Sequence, residues 1–284
     1  MLDYILLSPT KNEANYIEQT LRSVCAQTIL PKRWLILNDG STDRTPAIIQ
    51  EYADKHAWIE LITLTNFRPD LTSTGGRSGA VLNYARELIQ AEAVDFVVKI
   101  DSDVAFAPSF FEQVFTAFQQ EKSLGLASGH LVQDGIPEKI SDWSGVRGAT
   151  RIYRKACFDA VGPYHTIRGE DEIDTYMARM KGWQTRTLPI HFDHLKPEGV
   201  RHHSLVNHYD TGVFKARIPY RFDFFLLTLF KYAFTKPFFI GSLVQLAAYI
   251  KIRWIQLDRP FAQDLTHYVQ QGQRLKMKSA LGRN

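Results

Sequence analysis

Residues 95–103 read Asp95-Phe96-Val97-Val98-Lys99-Ile100-Asp101-Ser102-Asp103. A strand-length apolar, β-branched run ends in two carboxylates one residue apart. In an open α/β sheet, ligands bind beyond the carboxyl ends of the strands. A tight Asp-Ser-Asp turn at such an end can grip a divalent cation and leave positions for phosphate oxygens. Alone, Asp-x-Asp is more often a solvated turn than a site, so its surroundings decide.

Toward the N-terminus, Leu2–Ser8 reads as a strand that opens into Ser8-Pro9-Thr10-Lys11-Asn12-Glu13. Glu13–Cys25 follows as a helix, with Ile17, Leu21 and Val24 on one apolar face. Trp34–Leu37 is a second strand closing on Asn38-Asp39-Gly40-Ser41, Thr45–Lys55 a helix, Ile59–Leu64 a third strand and Gly79–Ala91 a helix. Toward the C-terminus, Pro108–Gln120 reads as a helix with Pro in its first turn. Leu124–Val132 and Arg147–Arg154 read as strands, Lys155–Val161 as a short helix, and Glu170–Lys181 as a helix stopped by Gly182. Strands alternating with helical patterns predict an α/β fold, a mostly parallel mixed sheet flanked by helices.

With 284 residues, 45% of them apolar, the chain can bury a sizeable core and still carry an appendage. The two cysteines, Cys25 and Cys157, lack a metal-type spacing and read as small core residues. Met1–Leu7 has no basic flank and does not read as a signal peptide, so a cytoplasmic location is expected, peripheral on the inner face of the membrane.

Composition shifts late in the chain. Residues 199–284 hold 13 Lys and Arg against 4 Asp and no Glu, a net +9, which leaves −5 on residues 1–198. We therefore expect a first domain over 1–198 and a helical, basic-aromatic extension over 199–284 that associates with a membrane or covers an acceptor. Phe222–Phe230 and Phe238–Ile250 are apolar runs, interrupted by Lys231, Lys236 and Lys251. Neither offers the roughly 20 uninterrupted apolar residues of a spanning helix. Arg201, Arg217, Arg221, Lys231, Lys236, Lys251 and Arg253, interleaved with aromatics, suit an anionic membrane surface. The acidic first part argues against nucleic acid. A helical subdomain packed on the body, or forming a dimer, is the ordinary alternative, and the oligomeric state stays open.

Three stretches in order, SPTKNEANYIEQTLRSV (8–24), LILNDGSTDRT (35–45) and KIDSD (99–103), resemble the family 2 inverting glycosyltransferases. The resemblance spans about residues 3–195 and implies the Rossmann-like, A-type nucleotide-sugar-binding fold. It implies transfer of sugar from a nucleotide-sugar donor to a sugar or lipid-linked sugar acceptor, in cell-surface polysaccharide or glycolipid synthesis. It further implies that Pro9, Thr10 and Glu13 line the nucleotide pocket and that Asp39 meets base or ribose. Gly76–Asn83 resembles the family's basic-plus-glycine segment beside the nucleotide, which implies a donor-binding role for Arg77, standing where Lys is more usual. Asp101, Ser102 and Asp103 serve ribose, diphosphate and a divalent cation, Mg²⁺ or Mn²⁺.

Inverting transfer is one displacement, so a carboxylate must take the acceptor's proton. The family's Glu-Asp pair falls on Glu170 and Asp171, which makes Asp171 the expected general base and Glu170 the group orienting the acceptor. Acidic residues in a first helical turn are also what the helix dipole favours. Trp143 is a candidate sugar-stacking ring or a cover for the core edge. Of the five histidines between 191 and 208, His194 fits best as a third metal ligand beside Asp101 and Asp103, with His191 and His202 as rivals. Processive synthases of the family carry Q-x-x-R-W; here Ile250 precedes Arg253-Trp254, which favours single-sugar transfer. A sugar-phosphate nucleotidyltransferase would need a Gly-rich loop after the first strand, where none stands. A non-catalytic nucleotide-sugar-binding protein is the other alternative.

Overall fold

In the computed structural model, residues 2–70, 76–138, 145–196, 205–234, 237–255 and 261–280 are described. The stretch from 95 forms the strand predicted from it, β4 (Phe96–Ile100), and every residue of it is buried. Its parallel neighbour is β1 (Tyr4–Thr10), which pairs on its other side with β2 (Arg33–Asn38), and β2 with β3 (Ile59–Thr63), all in parallel. Strands buried on both faces read as continuous apolar runs. Alternate residues serve the two sides: Tyr4 and Leu6 join one apolar cluster, Ile5 and Leu7 the other.

Helices α1 (Ile17–Cys25), α2 (Thr45–Ala53) and α4 (Phe110–Gln120) cover the first face; α3 (Arg77–Leu88), α5 (Lys155–Val161) and α6 (Glu170–Met180) cover the second. On α1 the buried residues Ile17, Thr20, Leu21 and Val24 recur at helical spacing, as expected. The helix starts later than predicted because Glu13 to Tyr16 form its entry turn, the Glu13 carbonyl accepting from the amides of Tyr16 and Ile17.

Beyond β4 the sheet changes character. The full order is β3-β2-β1-β4-β8-β6-β9-β5, with β7 (Ile136–Pro137) paired to β6 (Leu124–Gln133). Strand β8 (Thr150–Arg154) runs antiparallel to both β4 and β6. Strand β9 (Gln184–His194) runs parallel to β6 and antiparallel to the short β5 (Val104–Phe106). The α/β class, the mixed sheet and the flanking helices match the expectation; β5 and β9 are additions to it.

The chain divides into two compact units, Met1–Lys196 and Pro197–Asn284. The second holds α7 (Leu205–Arg217), α8 (Phe222–Tyr232), α9 (Phe239–Trp254) and α10 (Gln263–Ala280). No described helix is long and apolar enough to cross a membrane.

Candidate active site

Parallel pairing puts the carboxyl ends of β1, β2 and β4 side by side, with Thr10 in register with Asn38. The Asp-Ser-Asp turn is fixed from beneath. Ser102 is 3% exposed; its hydroxyl meets that of Thr10 at 2.5 Å and donates to the Pro9 carbonyl at 3.2 Å. The Thr20 hydroxyl donates to the Ser102 carbonyl at 2.9 Å. Thus Ser102, expected among the donor-binding residues, is turned inward and ties the β1 and β4 ends together, while Asp101 and Asp103 flank it.

Asp101 accepts a hydrogen bond from Lys99 Nζ at 2.5 Å, and the same ammonium donates to the Gly148 carbonyl at 2.6 Å. Asp103 is 8% exposed, and burial together with the Asp101 charge raises its carboxyl above the usual range. Opposite Asp103, His194 closes β9, with Nε2 3.7 Å from Asp103 Oδ2. His194 Nδ1 lies 2.8 Å from the Lys196 carbonyl. A carbonyl can only accept, so Nδ1 carries the proton and Nε2 presents its lone pair toward Asp103. Two acceptors facing each other need a proton, on the ring or on the carboxyl, or a cation between them. That donor set suits a divalent ion whose remaining positions go to phosphate oxygens and water. Among the described residues, no group of three or more His, Cys, Asp and Glu forms a protein-only metal cage. His191, by contrast, stacks edge-on against His130 at 5.1 Å; His202 and His203 lie outside the described residues, as do Trp143 and Arg201.

The residues expected to line the nucleotide pocket also converge. Asn12, at φ 55°, accepts from the Thr42 amide at 2.8 Å and donates its own amide to Ser41 Oγ, so the loops after β1 and β2 hold one another. Asp39 is 7% exposed, and both of its oxygens accept from the Arg77 guanidinium, each at 2.5 Å. Lys11 Nζ stands 3.9 Å from the same carboxylate. Glu13 Oε1 accepts from Lys196 Nζ at 2.7 Å, while its Oε2 is buried without a hydrogen-bond partner among the described residues.

The third group is the head of α6. Gly169, at φ 83°, caps it in the left-handed region that glycine tolerates best, and Glu170, Asp171 and Glu172 form its first turn. Asp171 Oδ1 accepts from the Glu172 amide at 2.9 Å. A methyl group at position 148 would come within 2.7 Å of Asp171 Oδ2, so glycine there lets the β8 approach lie against the carboxylate. Through Gly148, the Lys99–Asp101 pair and Asp171 become neighbours. Burial and the Asp171 charge raise the Glu170 carboxyl; Lys99 and a hydrogen bond from Ser78 oppose that.

Beneath α6 lies a buried polar chain that sequence reasoning missed. Arg151, 2% exposed, donates to the Tyr153 hydroxyl at 2.7 Å, which donates to Asp174 at 2.7 Å. Arg151 also donates to Thr175, whose hydroxyl donates to the Asp171 carbonyl at 2.9 Å. Burial pushes the Asp174 carboxyl up to about 7, against the pull of Arg151. The one signal in the sequence was an arginine among the apolar and hydroxyl residues of β8. Asn83, which closes the Gly76–Asn83 segment singled out above, has a role the sequence did not show: its side-chain amide donates to the Tyr164 carbonyl at 2.8 Å and accepts from the Tyr164 amide at 2.7 Å. It clamps the segment leading into α6.

A Gly148→Ala chain follows directly from this geometry. The obstructed atom is the end of a side chain, so the fold should survive with little change in melting temperature while Asp171 is displaced. With Asp171 in the base role expected from the sequence, sugar transfer should fall roughly tenfold to a hundredfold, the cost of misplacing a reacting group by about 1 Å. Wild-type turnover in a normally folded Gly148→Ala chain would disprove the contact's importance.

The mixed sheet flanked by helices, parallel in its first half, is a fold that solved structures share. A mannosyltransferase from Pyrobaculum calidifontis, in complex with GDP-Man and Mn²⁺, superposes with a TM-score of 0.57 at 14% identity, over 96% of this chain and 80% of that one. S. aureus TarS 1–349 in complex with UDP-GlcNAc gives 0.55 at 17% identity, over 90% and 73%. Over residues 6–143 the chain matches the sequence model described as Glycosyl transferase family 2. A β-monoglucosyldiacylglycerol synthase of Nostoc sp. is 30% identical over 204 residues, 64% of this chain and 42% of that protein. The first curated relatives are matched over only 36–42% of their own length.

Proposed function

We propose that this chain is an inverting glycosyltransferase that moves one sugar from a nucleoside-diphosphate donor to an acceptor hydroxyl in polysaccharide or glycolipid synthesis. The observation that carries the reading is the Lys99–Gly148 bridge, which brings the Asp101–Asp103 turn beside Asp171. A donor-side acidic turn and a candidate base are what a single displacement requires.

In this reading, Asp39 meets the base or ribose, and Arg77 holds it ready. Glu13 Oε2, without a hydrogen-bond partner among the described residues, supports a place for Glu13 beside a ribose hydroxyl, with Pro9 and Thr10 lining the same end of β1. Ser102 fixes the turn. Asp103 and His194 would hold Mg²⁺ or Mn²⁺ near Asp101, where the bound cation would offset charge on the departing diphosphate. Asp171 takes the acceptor proton while Glu170, which holds its own proton to higher pH than usual, hydrogen-bonds and orients the acceptor. We further place the chain peripherally at a membrane, with a sugar or lipid-linked sugar as acceptor.

The test is nucleoside diphosphate release from UDP-, GDP- and dTDP-sugars, with Mn²⁺, Mg²⁺ or EDTA. We expect metal-dependent release from one donor, faster when acceptor is added. Release of pyrophosphate would make the chain a nucleotidyltransferase instead, and tight nucleotide binding with no turnover on any donor and acceptor pair would make it a binding protein.

A further inference from the structure

Among the described residues, 16 exposed large hydrophobic side chains lie in the second unit and 3 in the first. They are ordered. Helix α9 turns Gly241, Gln245, Ala248 and Tyr249 inward, and Tyr249 stacks on Phe225 of α8 at 4.3 Å. With that inner face satisfied, an amphipathic surface helix should show a polar outer face. Instead the outer face of α9 runs Phe239, Leu243, Trp254, with Leu243 63% and Trp254 88% exposed. Helix α8 adds Leu226 and Phe230, the latter 70% exposed. Phe234, just past α8, joins the two rows, its ring 5.6 Å from Phe230 and 5.5 Å from Phe239.

We infer that this paired outer face of α8 and α9 is a docking surface for an anionic bilayer, entered in plane and not spanned. Three features select that occupant. Residues 199–284 carry a net +9, complementary to acidic lipid headgroups. The face is rich in Phe and ends in Trp254, between Arg253 and the exposed Ile255 and close to Lys251, the mixture that settles at the headgroup–acyl boundary. The helices themselves, 11 and 16 residues long, are too short to span. A second copy of the chain would have to bring two stretches of net +9 together.

The inference deepens the proposed function by naming where a lipid-borne acceptor is met, but its readout does not require sugar transfer. The experiment is co-sedimentation of the full chain with vesicles of phosphatidylcholine alone or equimolar with phosphatidylglycerol, beside the triple variant F230Q/F239Q/L243Q. All three positions are solvent-facing, and circular dichroism together with donor hydrolysis checks that each protein is folded. We expect binding to the anionic vesicles, weaker binding to phosphatidylcholine alone, and at least a roughly tenfold loss in the triple variant. A chain that stays in the supernatant with both vesicles overturns the proposal. So does vesicle binding that the triple variant retains. A dimer by sedimentation velocity that the triple variant dissolves, without vesicle binding, assigns the face to a second copy. Absence of donor hydrolysis in the unmodified chain, folded by circular dichroism and bound to vesicles, would count against the proposed reaction and leave this surface standing.

Discussion

An Asp171→Asn chain is expected to transfer sugar at roughly a thousandth of the wild-type rate, with donor affinity unchanged. The substitution preserves shape. Asparagine at 171 still offers an oxygen to the Glu172 amide and still fits against Gly148, so α6 keeps its head. What it loses is the capacity to accept a proton. Neighbouring carboxylates are poorly placed to replace it: Asp174 is 2% exposed and receives the Tyr153 hydroxyl, and Glu172 receives that of Tyr176 at 2.6 Å. Glu170 is the remaining candidate, and its raised carboxyl makes it a group that tends to hold its proton. Single-turnover transfer and a nucleotide titration on the same protein separate chemistry from binding. A loss smaller than tenfold would move the base role to Glu170. Removing one of two adjacent like charges should leave the melting temperature level or slightly higher.

The second large effect belongs to Asp103. For Asp103→Ala we expect a hundredfold to thousandfold loss of Mn²⁺- or Mg²⁺-supported transfer, the scale on which a charge-stabilising group at the leaving oxygen contributes. Nucleoside diphosphate should also lose the metal-dependent part of its affinity. Folding should be little affected, because burial and Asp101 already disfavour this carboxylate's charged form. His194→Ala should raise the metal concentration needed by about tenfold to a hundredfold while sparing the maximal rate more than Asp103→Ala does. Rates in EDTA equal to those in Mn²⁺, for wild type and variant alike, would remove the cation from the proposed reaction.

The first 103 residues were legible because each strand there is rich in apolar residues and each acidic turn sits at a strand end. Continuous apolar runs marked the strands, and the switch to Asp and Gly marked their ends. The later half was harder. Strand β9 reads Gln184-Thr185-Arg186-Thr187-Leu188-Pro189-Ile190-His191-Phe192-Asp193-His194, with most side chains partly exposed, so no apolar run announces it. It exists through pairing with β6 and β5, contacts far apart in sequence, and only that pairing carries His194 to Asp103. The inward hydrogen bonds of Ser102 were hidden, since a hydroxyl between two carboxylates gives no sign of which way it points. Arg77 and Asp39 were each singled out, yet 38 residues separate them and their bidentate pairing needed the fold. The roles of Arg151 and Asn83 were hidden for the same reason: a residue that supports another through buried hydrogen bonds has no local pattern of its own.

The junction at β4 has a consequence for how such a chain can change. On one side β4 pairs in parallel with β1, and every proposed nucleotide contact comes from that side, from residues 9 to 103. On the other side it pairs antiparallel with β8, and the proposed base, its buried supports on β8 and α6, and His194 all come from there, from residues 148 to 194. At the mouth of the site, the Lys99 ammonium and the Gly148 carbonyl stitch the two together across the boundary. Mutation on the far bank can therefore retune which hydroxyl is accepted while the near bank keeps its nucleotide, and the reverse holds as well. A lineage built this way can diversify its linkages one partner at a time, with the stitch as the point that both histories must preserve.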